Sequence, residues 1–419
     1  MNNYLYKCFD CGKTYSKEFI EDELIYICPE CGTVEKNSPL KGILTVEYDY
    51  EEIRRKESRE NFLKLLPGKF WLYPYLWPLE FENGIPKNVN EILLNRIALG
   101  QNSLLELSFD GNNFLALDDS RNPTLSYKDR ASSLVALKAL QKGIKKIAAA
   151  STGNAGSSIA GIAARLGLKS VVFVPKNIPE AKRIQIQSYG ADLFLVDGDY
   201  DLAFDLCLEI SSQKKWYNRN TGYNPLTLEG KKSSAYDIFI SSHGQMPDTI
   251  FVPTGDGVII SGLYKGLREL FGLGWIEKIP RLISVQAEGS SALARFVKNG
   301  VFEYKPAQSI ADSLCAGAPR CLYPAAEAVQ KSGGSVVTVN DNEIMNAQEY
   351  VALNFGILLE PSSASVFAAY KKMFEAEELK NEKSLLLFTG NGLKDTSALK
   401  LWNGEKLLLS SNRLKQQLL

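Results

Sequence analysis

Lys146-Ile147-Ala148-Ala149-Ala150-Ser151-Thr152-Gly153-Asn154-Ala155-Gly156 runs from a strand-like stretch through a glycine loop into a helix of small residues spanning 155–166. The pattern recurs. Ile250-Phe251-Val252-Pro253 leads to Thr254-Gly255-Asp256-Gly257-Val258 and a helical period over 259–270, and Leu385-Leu386-Leu387-Phe388 leads to Thr389-Gly390-Asn391-Gly392. Working outward, strand-like runs fall at 114–117, 146–150, 170–174, 192–196, 249–253, 281–287, 335–339 and 384–389. Helix-length periods, such as 179–189 and 202–210, fill most of the gaps. This alternation predicts an α/β chain of open sheets covered on both faces. In such sheets ligands bind beyond the carboxyl ends of the strands. One glycine at a strand–helix turn is usually only a turn; three such loops in one chain form a constellation.

The loops favour anions. Glycines and short polar side chains at 151–156 let backbone N–H groups close on an anion or a carboxylate. The loop at 254–258 is a second cradle, suited to a phosphate. Upstream, Asn122-Pro123-Thr124-Leu125-Ser126-Tyr127-Lys128-Asp129-Arg130 is a proline-marked, extended approach to Lys128, where the apolar period Leu134, Leu137, Leu140 begins. A lone Lys-Asp-Arg is ordinarily a solvated helix start. Held at a domain seam and desolvated, Lys128 instead suits a lysine that loses its proton and forms a Schiff base.

Cys8-x2-Cys11 and Cys28-x2-Cys31 form two hooks, each second cysteine followed by glycine (Gly12, Gly32). Four thiolates at this spacing match a structural zinc ribbon, with a strand expected at 23–27. A pair of redox disulfides is the alternative. A closed four-thiolate site has no open position, so structure rather than catalysis is expected of it. The ribbon's acidic residues, among them Glu18, Glu21, Asp22, Glu23, Glu30 and Glu35, argue against a phosphate-backbone partner. Cys207 sits on an amphipathic period and is expected in the core; Cys315 and Cys321 receive no role.

At 419 residues, two main domains plus an appendage are expected. Lys plus Arg equals Asp plus Glu, 48 each, so no global field recruits nucleic acid or an anionic membrane. No apolar run reaches a membrane span, and the start Met1-Asn2-Asn3-Tyr4-Leu5-Tyr6-Lys7-Cys8 lacks a signal peptide's basic start and apolar centre. A cytoplasmic protein is the expectation. The single histidine, His243, lies in a polar helix end and is expected at the surface, which excludes two-histidine metal sites. Catalysis then needs a lysine, a carboxylate, a metal or a borrowed cofactor. The run from Phe70 to Pro78, aromatics interleaved with prolines, is expected to wrap an N-terminal segment onto the core.

Together these motifs resemble the fold-type II (tryptophan synthase β-like) pyridoxal-phosphate-dependent enzymes, most of all the threonine synthase branch, over about residues 100 to 400 plus the N-terminal ribbon. The resemblance implies two open α/β domains: the ribbon at 1–42, a large cofactor-binding domain from 43–128 and 221–419, and a small domain at 129–220. It implies pyridoxal 5′-phosphate carried by Lys128 as a Schiff base, with Lys128 also the base at the substrate Cα. Asn154 would meet the pyridoxal 3′-oxygen. Gly255, Asp256, Gly257 and Val258 would hold the phosphate, and Thr389 would give a hydroxyl to the pyridine nitrogen. Ser151, Thr152 and Gly153 would meet the substrate carboxylate. Zn²⁺ on Cys8, Cys11, Cys28 and Cys31 would be structural. Leu-Glu229-Gly230-Lys231 and Leu-Glu360-Pro361-Ser-Ser-Ala364 also match the family. A hydroxyl at the ring nitrogen leaves it largely unprotonated, which favours elimination or replacement over transamination and racemisation. A small amino-acid substrate and a homodimer are the implied partners.

The chain departs from the threonine synthase pattern where substrate is chosen. Ala155 stands where threonine is common, and Thr227 where an arginine binds the substrate phosphate. Asn102-Ser103-Leu104-Leu105 replaces a Thr-Pro-Leu, and Leu125 replaces a glycine. Losing that arginine is not conservative; Arg165, Arg183, Arg219 and Arg320 are the candidates to replace its charge. The expected activity is a lyase of threonine synthase type, O-phosphohomoserine plus water giving threonine and phosphate. A paralogue doing β-replacement or β-elimination on a serine derivative, cysteate synthase-like or diaminopropionate ammonia-lyase-like, is the alternative. A non-catalytic binding protein that keeps the fold is a third reading.

Overall fold

The computed structural model describes residues 4–69, 74–99, 104–151, 153–198, 200–404, 411 and 413. Part of the aromatic run (70–73), Asn102, Ser103 and Thr152 therefore lie outside the described residues. Strand β1 (Tyr4–Cys8) alternates buried and exposed positions, turning Tyr4, Tyr6 and Cys8 inward. It pairs antiparallel with β2 (Thr14–Ser16) and β3 (Leu44–Tyr48). Helix α1 (Lys17–Asp22) follows β2, its first turn capped by Ser16 Oγ, which accepts from Phe19 N. The strand expected at 23–27 does not form. Leu24 takes a left-handed φ of 53°, the chain turns there, and only Ile27 bridges Ile43.

The N-terminal segment then packs onto the α/β core. Trp77 is fully buried and meets Tyr236 edge-on at 5.7 Å, while Phe62 packs on Tyr236 and Trp275. Strands β4 (Leu105–Phe109) and β5 (Asn112–Asp118) form a hairpin, and helix α2 (Lys128–Gln141) leads away from it. Strand β6 (Lys146–Ala150), helix α3 (Asn154–Arg165), strand β7 (Lys169–Pro175), helix α4 (Glu180–Ser188), and strands β8 (Asp192–Val196) and β9 (Tyr217–Asn218) follow. They make a four-stranded parallel sheet in the order β8-β7-β6-β9. After helix α5 (Pro225–Lys231) come β10 (Thr249–Pro253), helix α6 (Val258–Gly272), β11 (Arg281–Ala287), β12 (Ser335–Val339) and β13 (Ser384–Phe388). These join the hairpin in a six-stranded sheet, β12-β11-β10-β13-β5-β4, parallel except at the β4 edge. Every residue of β10 and β13 is buried, as expected of central strands covered on both faces.

Small residues let the elements approach. A Cβ on Gly161 of α3 would sit 2.4 Å from Thr124 Cγ2, so α3 lies directly against the approach to Lys128. Among the described residues no helix is long and apolar enough to cross a membrane. His243 is exposed just past a helix end, and Cys207 is fully buried.

Candidate active site

Three backbone segments meet at the ends of the two sheets. Ser126 bridges Gly390, Tyr127 N donates to Thr389 O (2.8 Å), and Asn391 N donates to Leu125 O (3.1 Å). On the other side of the same segment Leu359 bridges Asn391, and Glu360 N donates to Gly390 O (3.0 Å). This irregular ladder brings Lys128, Thr389 and Glu360 onto the wall of one cavity of about 300 Å³. A volume of that size admits a small ligand.

The neighbours of Lys128 are its anchors. Asp129 is fully buried and accepts from Thr124 N (2.7 Å), Thr124 Oγ1 (2.5 Å) and Ser158 Oγ (2.7 Å). Arg130, equally buried, makes a two-pronged pair with Asp119, Nη2 reaching Oδ1 at 2.8 Å, and also pairs with Asp237. With its flanks held this way, Lys128 stays at the cavity. Desolvation pushes its amine below the usual lysine range; Glu360 and Asp256 oppose that shift, and Arg219 and Lys182 reinforce it.

Asn154 opens α3 across the cavity. Its Nδ2 donates to both Glu360 oxygens (2.8 and 2.9 Å) and to Ser313 Oγ (3.1 Å). Ser151 also lines the cavity, and its Oγ accepts from Gly153 N and Gly156 N, both at 2.9 Å, so the hydroxyl proton is what it can offer a ligand. Gly153 is not among the residues lining the cavity, and a Cβ on it would lie 2.1 Å from Lys182 Cδ. Gly255, Asp256, Gly257 and Val258 line the N-terminal end of α6. Gly257 takes φ +82°, and a Cβ on it would meet Cys321 O at 2.7 Å. Only glycine fits there.

Other wall residues carried no role in the sequence reading, apart from Arg320, one of its four candidate cations. Glu360 and Lys231 sit in quoted motifs whose spacing does not say which side chains turn inward. Tyr200, Ser313, Cys315 and Arg320 come from a helix start and from the irregular stretch 301–321, which has no period to read. Of the four candidate arginines, only Arg320 lines the cavity, where it pairs with Asp201. Arg219 is buried behind the wall on Ser132 and Thr221, Arg165 bonds Arg96 O (2.8 Å), and Arg183 is half-buried and lies 3.9 Å from Glu180. Thr227 is fully buried, its hydroxyl donating to Asn224 O (2.7 Å).

The four ribbon cysteines place all their sulfurs within 4.8 Å of one another, with Cys8–Cys31 at 3.5 Å and Cys11–Cys28 at 3.7 Å. Bonds of about 2.3 Å in a tetrahedral thiolate site imply sulfur–sulfur edges of about 3.8 Å, so the cluster fits a four-coordinate metal. None of the cysteines is in a disulfide.

Residues 98–390 match the family described as pyridoxal-phosphate dependent enzyme. The chain belongs to that family. Its members' cofactor needs an anion cradle and polar partners, and the site supplies both: the α6 N-terminus carries the cradle, and Asn154 Oδ1 and Lys231 Nζ are buried without hydrogen-bond partners. Within the family the chain is 33% identical to a threonine synthase of Methanocaldococcus jannaschii over 94% of each chain. It is 32% identical to a threonine synthase of Methanosarcina acetivorans over 94% of this chain and 92% of that one. Among solved structures, O-ureido-L-serine synthase superposes with TM-score 0.63 at 19% identity, covering 78% of this chain and 99% of the other. Diaminopropionate ammonia lyase from Escherichia coli gives 0.61 at 17%, covering 74% and 90%. At these identities the structural likeness speaks for the fold.

Proposed function

We propose that this pyridoxal-phosphate enzyme is a threonine synthase-like lyase, converting O-phosphohomoserine and water to threonine and phosphate. The observation that carries the reading is similarity to threonine synthases along nearly the whole chain. When bound, pyridoxal phosphate supplies the electron sink for charge left at the substrate Cα. Lys128 Nζ attaches the cofactor and takes the proton from Cα, and its depressed basicity keeps a larger share of the amine neutral near pH 7. Backbone N–H groups at Gly255, Asp256, Gly257 and Val258, with the α6 N-terminus behind them, hold the phosphate. The Thr389 hydroxyl serves the ring nitrogen, and Asn154 serves the 3′-oxygen. Ser151, with Thr152, orients the substrate carboxylate. Arg320 is the candidate cation for the substrate's own phosphate, since it is the one arginine of the four on the wall. Four thiolates hold a structural zinc ion.

Ala155 and Thr227 favour one second reading, β-replacement or β-elimination on a serine derivative. The test adds O-phosphohomoserine and phosphoserine separately to purified, cofactor-loaded protein, following cofactor absorbance and inorganic phosphate. Phosphohomoserine is expected to shift the spectrum and release one phosphate per threonine formed. If it does neither while phosphoserine does both, the second reading replaces the first.

A further inference from the structure

Lys231 ends α5 with its ammonium wholly buried and without a hydrogen-bond partner. Among the described residues the other buried lysines all have one: Lys138 on Glu21, Lys182 on Asp312, Lys232 and Lys265 on Glu229 and Glu269, and Lys394 on three oxygens. An unpaired buried ammonium loses its hydration and gets nothing back, so its place asks for an anion. The place is specific. A Cβ on Gly262 would meet Lys231 Cβ at 2.8 Å, so Lys231 stands against the second turn of α6, and its side chain lines the cavity with Gly255 and Gly257 at that helix's N-terminus. A left-handed glycine and a helix start already make an anion cradle there. The titratable groups around Lys231 are Lys128 and Arg219, which repel its charge, and Cys321 and Asp256, which favour it.

We propose that Lys231 is the side-chain counter-ion of the cofactor phosphate, completing a cradle otherwise made of backbone. This rests on the reading that pyridoxal phosphate binds here. A phosphate dianion would pair Lys231, relieve its repulsion from Lys128 and Arg219, and itself be screened from the Asp256 carboxylate in the same loop. Burial and the two neighbouring cations hold the Lys231 amine well below the usual range in the unloaded protein, a penalty that a bound dianion removes.

The test titrates apo-protein with pyridoxal phosphate and, separately, with pyridoxal, in the wild type, Lys231→Met and Lys231→Gln, alongside thermal melting of each apo form. Loss of the charge is expected to weaken pyridoxal phosphate about tenfold to a hundredfold, as for a hydrogen bond to a charged group. Pyridoxal affinity should be unchanged, and the apo variants should melt at the wild-type temperature or above. Unchanged pyridoxal phosphate affinity in both variants overturns the proposal, as does an equal loss for both ligands, which would mean a packing role. A rise confined to the KM for a phosphorylated substrate also overturns it, by moving Lys231 to the substrate's phosphate. A wild type that takes up neither ligand sinks the cofactor reading itself, an outcome distinct from a difference between variants.

Discussion

At the residue scale, the approach to Lys128 carries visible strain. Leu125 takes φ 65°. A left-handed conformation costs a non-glycine residue about 1–2 kcal/mol, and here it is held by the Asn391 N bond to Leu125 O. Leu125→Gly and Leu125→Ala remove the same half-buried side chain, but only glycine relieves the backbone. Leu125→Gly should therefore be the more stable of the two by about 1 kcal/mol in chemical denaturation. Lys394 is the second residue with a decided sign. Its Nζ donates to Thr124 O (3.0 Å), Ser157 Oγ (2.9 Å) and Gln185 Oε1 (2.6 Å), joining three separate segments. Burial pushes it down to about 8 from 10.5, against the pull of Glu360 and Asp129. Between those values the unfolded chain binds more protons than the folded one, so this group's contribution to stability rises with pH from about 8 to 10.5 and its penalty is complete below 8. The wild-type stability minus that of Lys394→Met should climb across that window; a flat difference would reject the account.

At the element scale, the N-terminus of α6 is the proposed phosphate cradle, and its geometry makes cofactor affinity testable. Its first turn is open because Gly257 leaves room for Cys321 O and Gly255 for Ser313 O. Gly257→Ala forces both a clash and a strained φ, so the loop must shift. We expect pyridoxal phosphate affinity to fall at least about tenfold, the equivalent of roughly 1.4 kcal/mol, with the circular dichroism spectrum retained. Equilibrium dialysis checks it. The glycine loops were legible in the sequence because a strand, a glycine turn and a helix follow one another directly, at 146–165 and at 249–272. Residues 301–321 were not. That stretch has no period, and Ser313, Cys315 and Arg320 reach the wall from a segment held between the helices at Ala292–Asn299 and Leu322–Lys331.

At the scale of the whole molecule, the ribbon is built into the catalytic region. Glu21 accepts from Tyr4 OH (2.5 Å), Tyr6 OH (3.0 Å) and Lys138 Nζ (2.9 Å), and Lys138 lies on α2, the helix that begins at Lys128. Tyr48 bonds Glu229 of α5 at 2.5 Å, and Arg320 Nη1 donates to Ser38 O (3.3 Å). Glu21→Ala would strand the buried Lys138 ammonium, costing about 3–5 kcal/mol, and should lower the melting temperature of the loaded enzyme. Metal removal by a chelator, or Cys28→Ser, should loosen the same contacts and raise the substrate KM through Arg320; unchanged melting and KM in metal-free protein would reject the coupling. By itself the sequence determined the α/β class, the four-cysteine cluster, the glycine loops and the motif around Lys128, because each is a local pattern of period, spacing or residue type. It left unread the turn at Leu24, the buried partners Glu21–Lys138, and which cations face the cavity. Lys231, Arg219 and Arg320 are all basic residues in buried stretches, and nothing local distinguishes them. Only tertiary packing decides that Lys231 and Arg320 turn to the cavity while Arg219 stands behind it, because burial and pairing of charge depend on elements far apart in the chain.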